Sequence, residues 1–215
     1  MSDLLLNIRR STLGIALFAA VTSGLIAVTQ VLTKTRIASN QEAHQARALY
    51  EILPASLDER LHQQIASLPA PELGLTEIHF YQAIQDQEVQ AVIFPIVAAD
   101  GYSGDIHLLV GIWRDGRVAG VRVLAHKETP GLGDKIELAK SDWILSFNDK
   151  RLENGREEAW NVRKEGGVFD AFTGATITPR AVVRSVARTL DFYQRHQAEI
   201  LQPVRVETTE AEVTP

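Results

Sequence analysis

Between Ser11 and Thr33 the sequence STLGIALFAAVTSGLIAVTQVLT carries no charged side chain. At 1.5 Å per residue a helix of about 23 residues crosses the roughly 30 Å of a bilayer's hydrocarbon core. Arg9 and Arg10 precede the run, and Lys34 and Arg36 follow it. A helix closes its own backbone hydrogen bonds, so one span is physically sufficient. A cleaved signal peptide fits less well. The run is longer than the usual apolar region, and Ile37-Ala38-Ser39 is a poor small-x-small cleavage site. A soluble core helix is disfavoured because no charged residue marks a wet face. The sequence therefore predicts a retained anchor. Basic residues on both sides leave the positive-inside count nearly balanced. The simplest arrangement keeps the N-terminus cytoplasmic and exports the bulk.

The rest of the 215-residue chain has room for one soluble domain. A net charge of −5 argues against nucleic-acid binding, which needs a basic surface. Cysteine is absent. That excludes a disulfide framework, Cys-ligated iron–sulfur clusters, zinc ribbons, C-x-x-C-H haem attachment and a cysteine nucleophile. Any electron chemistry must then rest on an organic group or on His and carboxylate ligands. The histidines show no trusted metal spacing, and no metal site is expected.

The expected class is α+β: a single transmembrane helix, then an antiparallel-sheet domain with flanking helices. Residues 1–36 form the tail and anchor, 37–70 a helical stalk, 71–203 the main domain, and 204–215 a disordered acidic tail. In the stalk, Ala43, Ala46, Leu49 and Leu53 fall near one stripe, and Pro54 ends that helix. A second short helix is expected over Leu57–Leu68, followed by a Pro/Gly linker from Pro69 to Leu75. Glu77–Ala83, Val89–Val97, Asp105–Trp113 and Arg117–Leu124 read as strands, with Ile106, Leu108, Val110 and Ile112 alternating. Asp115-Gly116 between the last two predicts a type I′ hairpin. Lys135–Phe147 reads as a short helix and loop. Pro179–Leu201 reads as a long helix with Thr178 as N-cap and Pro179 at its first position. Its stripe is Ala181, Val182, Val186, Leu190, Tyr193 and Ile200.

Two segments carry the chemistry. His126-Lys127-Glu128-Thr129-Pro130-Gly131-Leu132-Gly133 follows a predicted strand. Its glycines and proline allow a backbone to approach a ligand closely. Asp170-Ala171-Phe172-Thr173-Gly174-Ala175-Thr176-Ile177-Thr178-Pro179 precedes the long helix. Gly174 and Ala175 leave Thr176 reachable from outside, and the unpaired N–H groups of a helix start favour an anion nearby.

Asp-x-x-Thr-Gly-Ala-Thr resembles the flavinylation motif of the FMN-binding domain family. That family includes the G subunit of Rnf/Rsx electron transport complexes and the C subunit of sodium-translocating NADH:quinone reductases. The upstream loop is similar to the family's second recurring segment, and the anchor also agrees. The modest length looks more like the Rnf/Rsx protein. The resemblance implies FMN joined through its phosphate to Thr176, with Asp170 and Thr173 at the motif's leading positions. Glu128, Thr129, Gly131, Leu132, Gly174 and Ala175 are the further cofactor-binding candidates. It implies a flavin transferase that installs FMN from FAD with a divalent metal. It also implies partner subunits of a bacterial inner-membrane complex, a flavin domain on the periplasmic side, and no catalytic residue in this chain alone. The absence of a Rossmann G-x-G-x-x-G signature predicts no NADH site.

Several residues keep two readings. His126 stacks or hydrogen-bonds near the flavin, or is a structural histidine. Asp170 positions the motif or the transferase's metal, or makes a local Asx turn. Tyr102 lines the pocket or shapes a turn. Trp113, Trp143 and Trp160 are read as core or rim. A quinone reductase component and a cofactor-free membrane-tethered module remain the competing functions.

Overall fold

A computed structural model describes residues 2–153 and 156–204. The acidic tail expected over 204–215 lies, from residue 205 onward, outside the described residues. Two compact units divide between Gln45 and Ala46.

The first unit is helical. Helix α1, Ser2–Ile52, contains Thr12–Lys34, a stretch long and apolar enough to cross a membrane. Leu13, Phe18, Leu25 and Leu32 on it are all exposed to more than three-fifths. Its threonines turn inward on their own helix: Thr22, Thr29 and Thr33 donate to the carbonyls of Phe18, Leu25 and Thr29 at 2.8 Å. Hydroxyls satisfied in this way present no orphan donor to an apolar surrounding.

The second unit is a five-stranded antiparallel sheet in chain order. Its strands are β1 Ile65–Ala70, β2 Leu75–Gln85, β3 Glu88–Ala98, β4 Ile106–Trp113 and β5 Val118–Ala125. Sequential order follows from short hairpins, which need no crossover. Helix α2, Ile177–Ile200, covers one face. There Ala181, Val182, Val186, Leu190 and Tyr193 join Phe80, Phe94, Leu108 and Val110 in the main core. The last turns of α1 cover the other face, where Ala48, Leu49 and Ile52 meet Ala91, Ile93 and Leu109. Burial on both faces explains why β3 and β4 read as nearly continuous apolar runs.

Glycine makes the α1 contact possible. Gly111 and Gly120 face each other across β4 and β5. A Cβ on Gly111 would lie 2.3 Å from Ile52 Cγ2, and one on Gly120 would lie 3.4 Å from the same atom. The pair forms a notch that seats Ile52.

Three expectations change. Leu57–Leu68 is not a helix: a 3₁₀ turn at Leu61–Gln63 leads into β1, so the sheet begins before residue 71. Asp58 helps make this turn, with Oδ1 accepting from Arg60 N and Oδ2 from Ile84 N, both at 2.8 Å. The β4–β5 hairpin exists, but its turn is type I with a bulge. Gly116 alone has positive φ there, at 86°, and Trp113 N donates to Arg117 O. The type I′ geometry falls instead at Asp86-Gln87, with φ of 52° and 64°, between paired Gln85 and Glu88. Finally, α2 starts at Ile177, which puts Thr176 at the N-cap position and Thr178 inside the first turn.

Candidate functional site

The loop after β5 and the threonine loop before α2 meet. Thr129 O accepts from Leu132 N at 3.1 Å and Gly133 N at 3.0 Å, folding the first segment into a compact loop with Gly131 at φ 78°. The second is a tight turn: Ala175 N donates to Phe172 O at 3.1 Å, and Gly174 has φ 82°. Positive φ at the third turn residue is the type II arrangement that selects glycine. A Cβ on Gly174 would find Leu132 Cδ2 at 3.6 Å, so the two loops are in contact.

Beneath the second turn lies an aromatic cluster. Phe147 stacks on Phe169 at 4.6 Å, Trp160 lies 5.2 Å from Phe169, and Trp143 packs edge-on against Phe172 at 5.1 Å. Trp143 Nε1 also donates to Asp170 O at 2.8 Å. Trp143 thus holds the motif from below, Trp160 packs beyond it on Phe147 and Phe169, and Trp113 packs on the opposite face with the α1 contact.

Between the loops is a cleft of about 290 Å³. Tyr102, Glu128, Thr129, Leu132, Gly133, Gly174, Ala175, Thr176, Ile177 and Thr178 line it. Tyr102, Leu132 and Ile177 are exposed at 67%, 41% and 41%, which gives the cleft an apolar rim open to solvent. Thr176 is half-buried, and its side chain makes no capping hydrogen bond. The first-turn amides of α2 stand beside it without intrahelical partners. Pro179, in that turn, brings no N–H at all.

Glu128 ties the cleft together. It is 4% exposed. Oε1 accepts from Ser103 N at 2.9 Å, and Oε2 accepts from the fully buried Thr178 hydroxyl. Glycines make room for it. A Cβ on Gly133 would lie 2.9 Å from Glu128 Cβ and 2.9 Å from Thr178 Oγ1, and one on Gly101 would lie 3.0 Å from Glu128 Oε1. The sequence does not reveal these roles of Gly101, Gly133 and Thr178. Its one local signal is glycine on both sides of Tyr102-Ser103.

The remaining candidates fall outside the cleft wall. Thr173 and Gly131 are exposed at the loop tips. Asp170 is exposed and pairs with Arg163 at 3.0 Å. His126 takes a structural place: Nδ1 accepts from Glu128 N at 3.0 Å, and Nε2 lies 2.6 Å from Glu137 Oε1. Glu165 is paired to Arg180 and Arg184.

Residues 101–191 match the model of the FMN-binding domain, and residues 1–52 match that of the RnfG N-terminal region. Among curated relatives, the G subunit of the ion-translocating oxidoreductase complex of Vibrio vulnificus (strain YJ016) is 44% identical over 200 residues, covering 92% of this chain and 95% of the relative. The G subunit of that complex from Pseudomonas aeruginosa (strain UCBPP-PA14) is 47% identical over 197 residues, covering 90% and 92%. With near full-length coverage on both sides, the chain belongs to the family of ion-translocating oxidoreductase complex G subunits, and the threonine cleft lies within its FMN-binding domain.

Proposed function

We propose that Thr176 Oγ carries FMN as a phosphoester, and that this chain is a membrane-anchored electron relay in an Rnf-type complex. The observation that carries the reading is Thr176 itself. It is half-buried at the wall of a cleft in an FMN-binding domain, with its hydroxyl unused by the helix it caps. The residues fit the group. Unpaired amides of the first turn suit a phosphate. The apolar rim of Leu132, Ile177 and Tyr102 suits the faces of a flat ring. A volume of about 290 Å³ is small for a whole flavin, so part of the ring system stays open to electron partners.

Bound FMN supplies the redox chemistry, accepting and donating electrons singly or in pairs. The chain's own residues place it. Gly174 and Ala175 keep bulk away from the ester, and Glu128 fixes the first turn of α2 by way of Thr178. In the attachment step the Thr176 oxygen bonds to the FMN phosphorus of FAD. The pyrophosphate bond breaks, AMP leaves, and the hydroxyl proton passes to a base. An ordinary threonine is a weak nucleophile. The base and the divalent metal therefore come from a flavin transferase. Asp170 and Thr173, exposed beside the loop, are the motif positions available to that enzyme, and Thr129 and Gly131 shape the facing loop. The anchor lies in the inner membrane with the flavin domain on the external side, where a covalent bond keeps the cofactor without a free FMN pool. The full-length likeness to the G subunits of ion-translocating complexes favours this over a quinone reductase component or a cofactor-free tether.

Co-expression with a flavin transferase, followed by ultraviolet fluorescence in a denaturing gel, tests the reading. A fluorescent band that Thr176→Val removes is expected, and intact mass should show one FMN less one water. A band that survives Thr176→Val moves the attachment to Thr173, since Thr178 is fully buried. No band from the unaltered chain sinks the flavin reading.

A further inference from the structure

Glu128 is a buried carboxyl in the cleft wall whose oxygens both accept from neutral donors, Ser103 N–H and the Thr178 hydroxyl. Two accepting oxygens are what an ionised carboxylate offers. The imidazole two residues before it turns away to Glu137, at 2.6 Å, and leaves its other nitrogen to the Glu128 amide. A buried carboxylate held by hydrogen bonds alone is costly. Gly133 leaves the room this side chain occupies: a Cβ there would lie 2.9 Å from Glu128 Cβ and 3.0 Å from Oε2.

We propose that Glu128 is a positioning residue that sets the reduction potential of the cofactor in this cleft, by holding a fixed negative charge against its wall. The proposal rests on the reading of Thr176 as the flavin carrier. Reduction adds electron density to the flavin. A carboxylate buried in the wall of the same cleft opposes that gain through protein of lower effective dielectric than water. The carboxylate therefore keeps the potential low. Salt screens a buried charge weakly, so the effect persists at high ionic strength. Thr178 holds the charge in place and links it to the helix turn that presents Thr176.

The test compares the flavinylated full-length chain with Glu128→Gln and Thr178→Val. Covalent labelling is read by gel fluorescence, folding by thermal melting, and potential by optical redox titration at low and high salt. In the labelled fraction of Glu128→Gln the reduced form is expected to be favoured by about tenfold at fixed potential, about 59 mV per one-electron step. Thr178→Val, which keeps the charge, is expected to melt lower without that positive shift. Equal potentials in Glu128→Gln and the unaltered chain overturn the proposal, as does the same positive shift in both variants. If Glu128→Gln does not fold or is not labelled, reduced-minus-oxidised infrared spectra of the unaltered chain, isotope-edited at glutamate, give a second reading. A responding carboxylate band supports the proposal, and its absence overturns it. An unlabelled unaltered chain brings down the flavin reading, and this inference with it.

Discussion

Gly133 shows how finely the cleft is packed. Its missing side chain leaves the space that Glu128 Cβ and Thr178 Oγ1 occupy, each 2.9 Å from where a Cβ would sit. Gly133→Ala should therefore destabilise the domain by about 1–3 kcal/mol, as overpacking does, read as a lower denaturant midpoint. It should also reduce flavin labelling, because the displaced Glu128 releases the first turn of α2. Gly174→Ala acts by another route. Its φ of 82° suits glycine, and the added Cβ has room, so the cost is backbone strain of roughly 1–2 kcal/mol. On the proposed attachment at Thr176, Ser should keep the fluorescent band and Val should remove it, since only the hydroxyl is needed. Thr176 and its small neighbours were legible because their signal is local. The Glu128–Thr178 contact was not, because it joins residues 50 apart in the chain.

At the scale of elements, the docking of α1 on the sheet turns on one notch. Gly111→Ala places a methyl 2.3 Å from Ile52 Cγ2 and should cost about 1–3 kcal/mol. Ile52→Ala should recover part of that loss in the double variant, and thermal melts of all four chains measure the coupling. The β4–β5 hairpin gives a pH test. Burial raises the Asp115 carboxyl, but hydrogen bonds and charge from Arg117, with the charge of Arg151, outweigh it and hold its pKa below the ordinary value. A lowered folded pKa means stability present above the unfolded value of about 3.9 and lost as pH falls through the folded one. Asp115→Asn should thus be slightly less stable near neutrality, and the gap should close as pH falls through the lowered folded value. The side chain is 46% exposed, so the effect is small. The hairpin is also held from α2: Tyr193 Oη and Gln197 Nε2 both donate to Arg114 O at 2.9 Å.

For the whole molecule, the division between Gln45 and Ala46 predicts where the chain can be cut. A chain beginning at Ala46 keeps Ala48, Leu49 and Ile52 on the sheet. It should leave the membrane fraction and melt as the full-length domain does. A chain beginning at Leu53 bares that apolar face and should aggregate, which sedimentation distinguishes. The lack of cysteine makes topology directly testable. A single cysteine at exposed Asp142 should react with an impermeant maleimide in cells with the outer membrane permeabilised, if the domain is external. Protection there, with labelling only after lysis, reverses the proposed side.

The sequence by itself determined the apolar span, the four long strands and the face of α2, because each rests on a short repeat of side chains along one element. It also marked the threonine loop, through glycine and proline placed where a turn demands them. Tertiary structure alone decided that Leu57–Leu68 gives way to a turn and an added strand, since Asp58 is drawn to the amide of Ile84 across the fold. It alone moved the start of α2 to Ile177, since the Thr178 hydroxyl finds a buried carboxylate rather than its own helix amides. Asp58 serves its own turn and another strand at once, and the Thr178 hydroxyl is taken by a carboxylate from another loop. Such a choice between near and far partners exists only once the chain has folded.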